Sequence, residues 1–170
     1  VNGVYQGAAF PFRAGLQCGV NRLAFADDGS LLAGETSRGW GSVGGKPYGL
    51  QRVIYTGEMP FEMLTMKITS TGFDLTFTKP VDPKGISADS FSLKSFTYIY
   101  HQTYGSPESD THGEKFEVAG VSKDGLTVSL TVPGRKPGRV YELKCAGVRS
   151  ATSEPLLHGE AYYTLNELPK

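Results

Sequence analysis

The 170 residues carry 17 Lys and Arg against 17 Asp and Glu, so no net field selects nucleic acid or an anionic membrane as a partner. No apolar run approaches the roughly 18 residues that a membrane span needs. With 22 glycines, 10 prolines and nine each of Tyr and Phe, the composition suits short strands joined by tight turns.

The chain opens on Val1-Asn-Gly-Val-Tyr5, with no initiator Met and no charged stretch ahead of an apolar one. It reads as starting partway through a longer protein and as lacking a signal peptide. Val4 to Phe12 is a first apolar run, broken at Pro11. Leu23 and Phe25 then alternate with polar or small neighbours, Asp27 to Ser30 supplies a turn, and Leu31 to Thr36 returns. Asp-Gly between two such runs is a strong hairpin signal. A glycine-rich loop from Ser37 to Pro47 leads to a third strand, Gly49 to Tyr55. Three meandering strands of this kind outline one blade of a β-propeller.

Glu58 to Phe61 links this segment to the next. Leu64, Met66 and Ile68 alternate as a strand, and Ser70 to Gly72 turns into the most regular run of the middle of the chain. There Phe73, Leu75 and Phe77 alternate with Asp74, Thr76 and Thr78, which puts three large apolar side chains on one face. Pro80 and Pro83 end it. Phe91 and Leu93 start a strand running toward Tyr100, residues 102–114 read as a polar loop, and Phe116 to Val121 as a short strand. Leu126, Val128, Leu130 and Val132 alternate most cleanly, followed by Tyr141, Leu143 and Cys145, and by Ala161, Tyr163 and Leu165. About seven short strands at this spacing predict an Ig-like β-sandwich. The expected fold is therefore all-β: a propeller-blade-like antiparallel sheet over 1–58, then an Ig-like sandwich over 61–170. Phe73, Leu75 and Phe77 are expected to share a core with Leu126, Val128, Leu130, Tyr163 and Leu165.

The stretch from Gly19 to Leu31, followed by Arg38 to Arg52, resembles the last propeller blade of a group of large secreted bacterial proteins. These are similar to soluble sugar dehydrogenases of the quinoprotein type. Phe77-Thr-Lys-Pro-Val-Asp-Pro83, Gly147-Val-Arg-Ser150 and Tyr163-Thr-Leu-Asn166 resemble the bacterial Ig-like domain that ends them. The resemblance implies a secreted or periplasmic protein, with the rest of the parent propeller protein as partner. It implies no cofactor on this chain, because a single blade cannot close a propeller and a quinone site would be spread over the others. The favoured function is a non-catalytic C-terminal structural and interaction module. Carbohydrate binding is the first alternative, and a fragment supplying wall residues to a quinoprotein-like sugar dehydrogenase is the second.

The most unusual stretch is Phe96 to Asp110, in which aromatic rings flank His101 and two carboxylates follow. Tyr98, Tyr100, His101 and Tyr104, with Glu108 and Asp110, can stack on a sugar ring and hydrogen-bond its hydroxyls, which makes polysaccharide a candidate partner. The competing reading is a seam, in which Tyr98, Tyr100 and Tyr104 pack against the blade-like segment while Ile99 enters the core. Arg38 and Trp40 form a second candidate, as a cation–π pair or ligand platform. The plainer reading is a loop pinned by its one large side chain. His101, His112, Glu108 and Asp110 follow no metal-ligand spacing, and Cys18 and Cys145 no zinc pattern. The two cysteines read as buried thiols or as one long-range disulfide. No Ser-His-Asp arrangement has a spacing logic.

Overall fold

A computed structural model describes residues 3–38 and 41–169. It is all-β: twelve strands in three antiparallel sheets, with one short 3₁₀ turn at Ala88–Ser90. Among these residues no helix is long and apolar enough to cross a membrane. The chain divides into two compact units, Val1–Pro11 with Pro60–Lys170, and Phe12–Met59.

The larger unit holds nine strands: β1 (Gly7–Ala9), β5 (Met63–Ile68), β6 (Gly72–Phe77), β7 (Ser92–Tyr98), β8 (Glu108–Gly113), β9 (Glu117–Val121), β10 (Thr127–Thr131), β11 (Arg139–Lys144) and β12 (Glu160–Leu165). One sheet has the order β5-β6-β10-β9 and the other β1-β12-β11-β7-β8. Their facing side chains make one core. Phe73, Leu75 and Phe77 from β6 and Val128 and Leu130 from β10 meet Tyr141, Leu143, Tyr163 and Leu165 from the other sheet. Leu126, expected in this group, precedes β10 and is only half-buried.

Local geometry explains how β6 reaches this position. At Gly72 a Cβ would lie 1.7 Å from the Leu130 carbonyl oxygen, so only glycine lets the two backbones come so close. Arg135 clamps the turn before β6, donating to the carbonyls of Thr69 at 2.9 Å, Ser70 at 2.7 Å and Gly72 at 2.6 Å. Across the core, the Tyr141 hydroxyl accepts the Lys136 N–H at 2.7 Å. That bond fastens the Pro133–Gly138 turn to the strand that follows it.

Three differences from the sequence reading have physical causes. The sequence pattern groups residues 1–11 with the glycine-rich segment, whereas β1 pairs with β12, Ala8 opposite Tyr163. The Gln6 carboxamide oxygen accepts the backbone N–H groups of Asn166 and Glu167. A partner more than 150 residues away leaves no local trace. In β5 the register shifts between Met63 and Thr65, so Met63 and Met66 are buried while Leu64, read in alternation with Met66 and Ile68, is exposed. The supposed loop 102–114 contains β8, an edge strand whose polar residues show no alternation.

The smaller unit is a three-stranded meander, β2 (Val20–Phe25), β3 (Leu31–Thr36) and β4 (Tyr48–Val53), in that order. Asp28 fixes the first turn by accepting from the Ser30 N–H and hydroxyl and pairing with Arg52. Gln17 lies against β4, its N–H donating to the Gln51 side chain at 2.7 Å, and Ala33, opposite Gln51 on β3, is fully buried. Cys18, in this unit, and Cys145, in the sandwich, are both buried free thiols. Burial pushes the Cys145 thiol up to about 12. Glu35 lies on the same β3 face as Ala33, with both carboxylate oxygens buried and without a hydrogen-bond donor.

Phe73→Ala should cost about 3–5 kcal/mol in chemical denaturation, through lost transfer energy plus a cavity. A loss under about 1 kcal/mol, as at a surface site, would sink the core assignment. Glu35→Met should stabilise the smaller unit, because it removes two buried oxygens without a hydrogen-bond partner among the described residues and keeps the volume. Faster amide exchange in β3 of that variant would contradict this.

Candidate functional site

The β7–β8 hairpin carries six of the eight residues singled out by sequence. Beyond Tyr98 the chain leaves the sheet, and Ser106 closes the loop across its neck. Its hydroxyl accepts the Ile99 N–H and donates to the Pro107 carbonyl, both at 3.0 Å. The tip between them stands clear of the sandwich. Tyr100 and Tyr104 are 105% and 96% exposed, and His101 is exposed as well. Tyr98, 55% exposed, sets its ring edge-on to buried Phe96 at 5.4 Å. Ile99, expected in the core, is instead 58% exposed. Strand alternation cannot be carried past Tyr98, because the strand ends there.

Two polar clusters, built on buried Glu142 and buried Arg139, anchor the hairpin. On the outer face of the sheet, Lys94 donates to Glu108 at 2.9 Å and pairs with Glu142 at 2.7 Å. The Lys94 ammonium also sits 5.4 Å from the Phe96 ring centre. The hydrogen bond to Glu142, reinforced by Glu108, raises the pKa of Lys94. On the inner face, the nearly buried Arg139 donates from Nε to the Ser95 hydroxyl at 2.7 Å and from Nη1 to the Asp110 carboxylate at 2.6 Å. Its Nη2 reaches the Asp110 carbonyl and His112 Nδ1, and the Ser95 hydroxyl donates to the Glu114 carboxylate. Asp110 has φ 49°, beside the register shift between Ser95 and Thr97. The bulge turns its backbone carbonyl toward the guanidinium.

Chemically, the structure separates what the sequence had grouped. Glu108 and Asp110 face the sheet and hold Lys94 and Arg139, while the tyrosines and His101 occupy the tip. Sequence reasoning missed Arg139, Ser95 and Glu142. The one available signal was a charged residue, Arg139, in phase with Tyr141 and Leu143 on a core-facing strand. Ser95 is fully buried and cannot act as a nucleophile. His158 is spent on Glu62, 2.6 Å away. Among the described residues no three His, Cys, Asp or Glu are placed to hold a metal ion.

Arg38 lies in the smaller unit, with φ 39° and its N–H donating to the Thr36 hydroxyl at 3.2 Å. It lines an open cavity of about 600 Å³ with Asn21, Ser37 and Ser42. Trp40, its expected partner, lies outside the described residues.

Comparison of the chain with protein families, with curated proteins and with solved structures finds no match.

The hydrogen bond from Arg139 holds the Asp110 carboxyl below its usual range. Its contribution to stability is therefore complete above about pH 4 and is lost as pH falls through the lowered value. Asp110→Asn should lower the melting temperature at pH 7 and flatten its decline below about pH 4. An unchanged acid limb would mean that this pair does not hold the hairpin.

Proposed function

We propose that this chain is a non-catalytic structural and interaction module of a secreted propeller protein. In this reading Phe12–Met59 is a blade that packs between neighbouring sheets, and the larger unit is the Ig-like domain following it. The observation that carries it is the distribution of apolar side chains on β2 and β4. Leu23 and Phe25, cross-strand from Ala33 and Leu31, are exposed on one face of the meander; Tyr48 and Leu50, cross-strand from Thr36 and Gly34, are exposed on the other. A sheet with large apolar residues open on both faces suits a place between two others. Exposed patches of this kind usually mark contact surfaces.

The strand order supports the second half of the reading. Taken along the chain, β5-β6-β10-β9 opposite β12-β11-β7-β8 follows the ABED and GFC order of an Ig sandwich with two added strands, C′ and the edge strand β1. Tyr141, hydrogen-bonded to the backbone five residues upstream, resembles the tyrosine corner of that fold.

A second reading, carbohydrate binding at the β7–β8 tip, draws on the open rings of Tyr100 and Tyr104. It is weakened because the carboxylates that would hydrogen-bond a sugar already hold Lys94 and Arg139.

Two measurements on the 170-residue chain separate the readings. It should bind an apolar fluorescent dye, and Leu23→Ser with Leu50→Ser should reduce that binding several-fold while the sandwich melts as before. On a glycan array it should show no saturable signal. Saturable binding to a polysaccharide, abolished by Tyr100→Ala with Tyr104→Ala, would replace the first reading by the second.

A further inference from the structure

The six outer edges of the three sheets are not alike. In the five-stranded sheet, β1 is only three residues long and β8 is bulged opposite Ser95–Thr97. In the four-stranded sheet, the β5 register shifts after Met63 and the β9 register shifts opposite Ser129–Leu130. In the meander, β2 is bulged between Val20 and Arg22. Short strands and bulges are the devices that keep an edge from pairing with another chain. The edge of β4 has neither. It runs in unbroken register with β3 over six pairs, Leu31 opposite Val53 to Thr36 opposite Tyr48. It contains no Pro and no Lys, and its single charged residue, Arg52, is paired with Asp28.

The hydrogen-bond phase of that edge follows from one contact. Ser37 and Pro47 continue the β3–β4 register, and the Ser37 N–H donates to the Pro47 carbonyl at 2.9 Å. Hydrogen-bonded and non-bonded pairs alternate in an antiparallel ladder, so Gly49, Gln51 and Val53 spend their backbone groups on β3. Tyr48, Leu50 and Arg52 turn theirs outward. Their side chains also share one face, on which Tyr48 and Leu50 are exposed.

We propose that β4 pairs with β4 of a second copy of this chain, antiparallel about a two-fold axis at Leu50. In this register Leu50 lies opposite its own copy and Tyr48 opposite Arg52, so the three outward-facing residues complete three hydrogen-bonded pairs. The side chains match as well: leucine on leucine, and a tyrosine ring against a guanidinium at each end. The two meanders become one six-stranded sheet with an isologous contact. This edge contact is distinct from packing through the sheet faces.

Sedimentation equilibrium of the 170-residue chain at micromolar concentration should give twice the 18.3 kDa chain mass. Leu50→Lys places two like charges opposite one another and should return the monomer. Leu50→Pro, which removes an N–H that β3 does not use, should do the same. The near-ultraviolet tyrosine signal of the sandwich reports folding in both variants. Leu50→Cys should cross-link to itself under mild oxidation, since paired Cα atoms about 5.5 Å apart fall within disulfide reach. A monomeric parent overturns the proposal. So does a dimer that survives both Leu50 variants, or one that cross-links through Phe25→Cys and not through Leu50→Cys.

Discussion

Phe73 lies between Tyr141 and Tyr163, with ring centres 5.7 and 5.2 Å away, and these contacts join the two sheets of the larger unit. Each ring arrives by a separate constraint. Gly72 lets β6 close on β10, Arg135 holds the preceding turn over the Phe73 face at 5.8 Å, and the Lys136 N–H fixes the tyrosine hydroxyl. Tilted ring pairs at these separations add to the energy of area burial. The stack therefore sets both the sheet spacing and the register in which β11 and β12 meet β6. The β7–β8 hairpin inherits its position from that arrangement, because β7 pairs directly with β11.

What the sequence made legible was the apolar alternation. Phe73, Leu75, Phe77, Val128, Leu130, Tyr163 and Leu165 take the core places expected of them, because period-two patterning is what burial on one sheet face produces. The failures cluster where a strand departs from that period. A bulge at Met63–Thr65 exchanged Leu64 for Met63 in the core, which no count of alternating residues can foresee. Edge strand β8 was unreadable because its side chains serve neither face of the core consistently. The pairing of β1 with β12 depends on chain return, not on anything local to Gly7–Ala9.

The candidate site was half legible for a related reason. The sequence singled out the stretch 98–110 through its aromatic density, and that stretch forms the exposed loop of the β7–β8 hairpin. Composition could not divide it into a tip and a base. That division comes from Lys94 and Arg139, which lie outside the stretch and draw Glu108 and Asp110 toward the sheet. A buried guanidinium is tolerated at Arg139 because its donors meet Ser95, Asp110 and His112, and unmet donors at such depth are costly. The carboxylates are thus structural before they can be anything else.

The two units solve the exposure of sheet surface in opposite ways. The sandwich turns its large apolar residues inward and leaves charges such as Lys67 and Lys144 on its outer faces. The meander has no second sheet of its own, so residues of the same apolar kind remain open on both sides. Three strands with one partly covered face are marginal as an independent fold, and the uncompensated Glu35 carboxylate lowers that margin further. A segment with this balance gains more from docking than from internal refinement. In the proposed assembly Leu23, Phe25, Tyr48 and Leu50 would be interior positions, which suits apolar side chains that the meander alone leaves exposed.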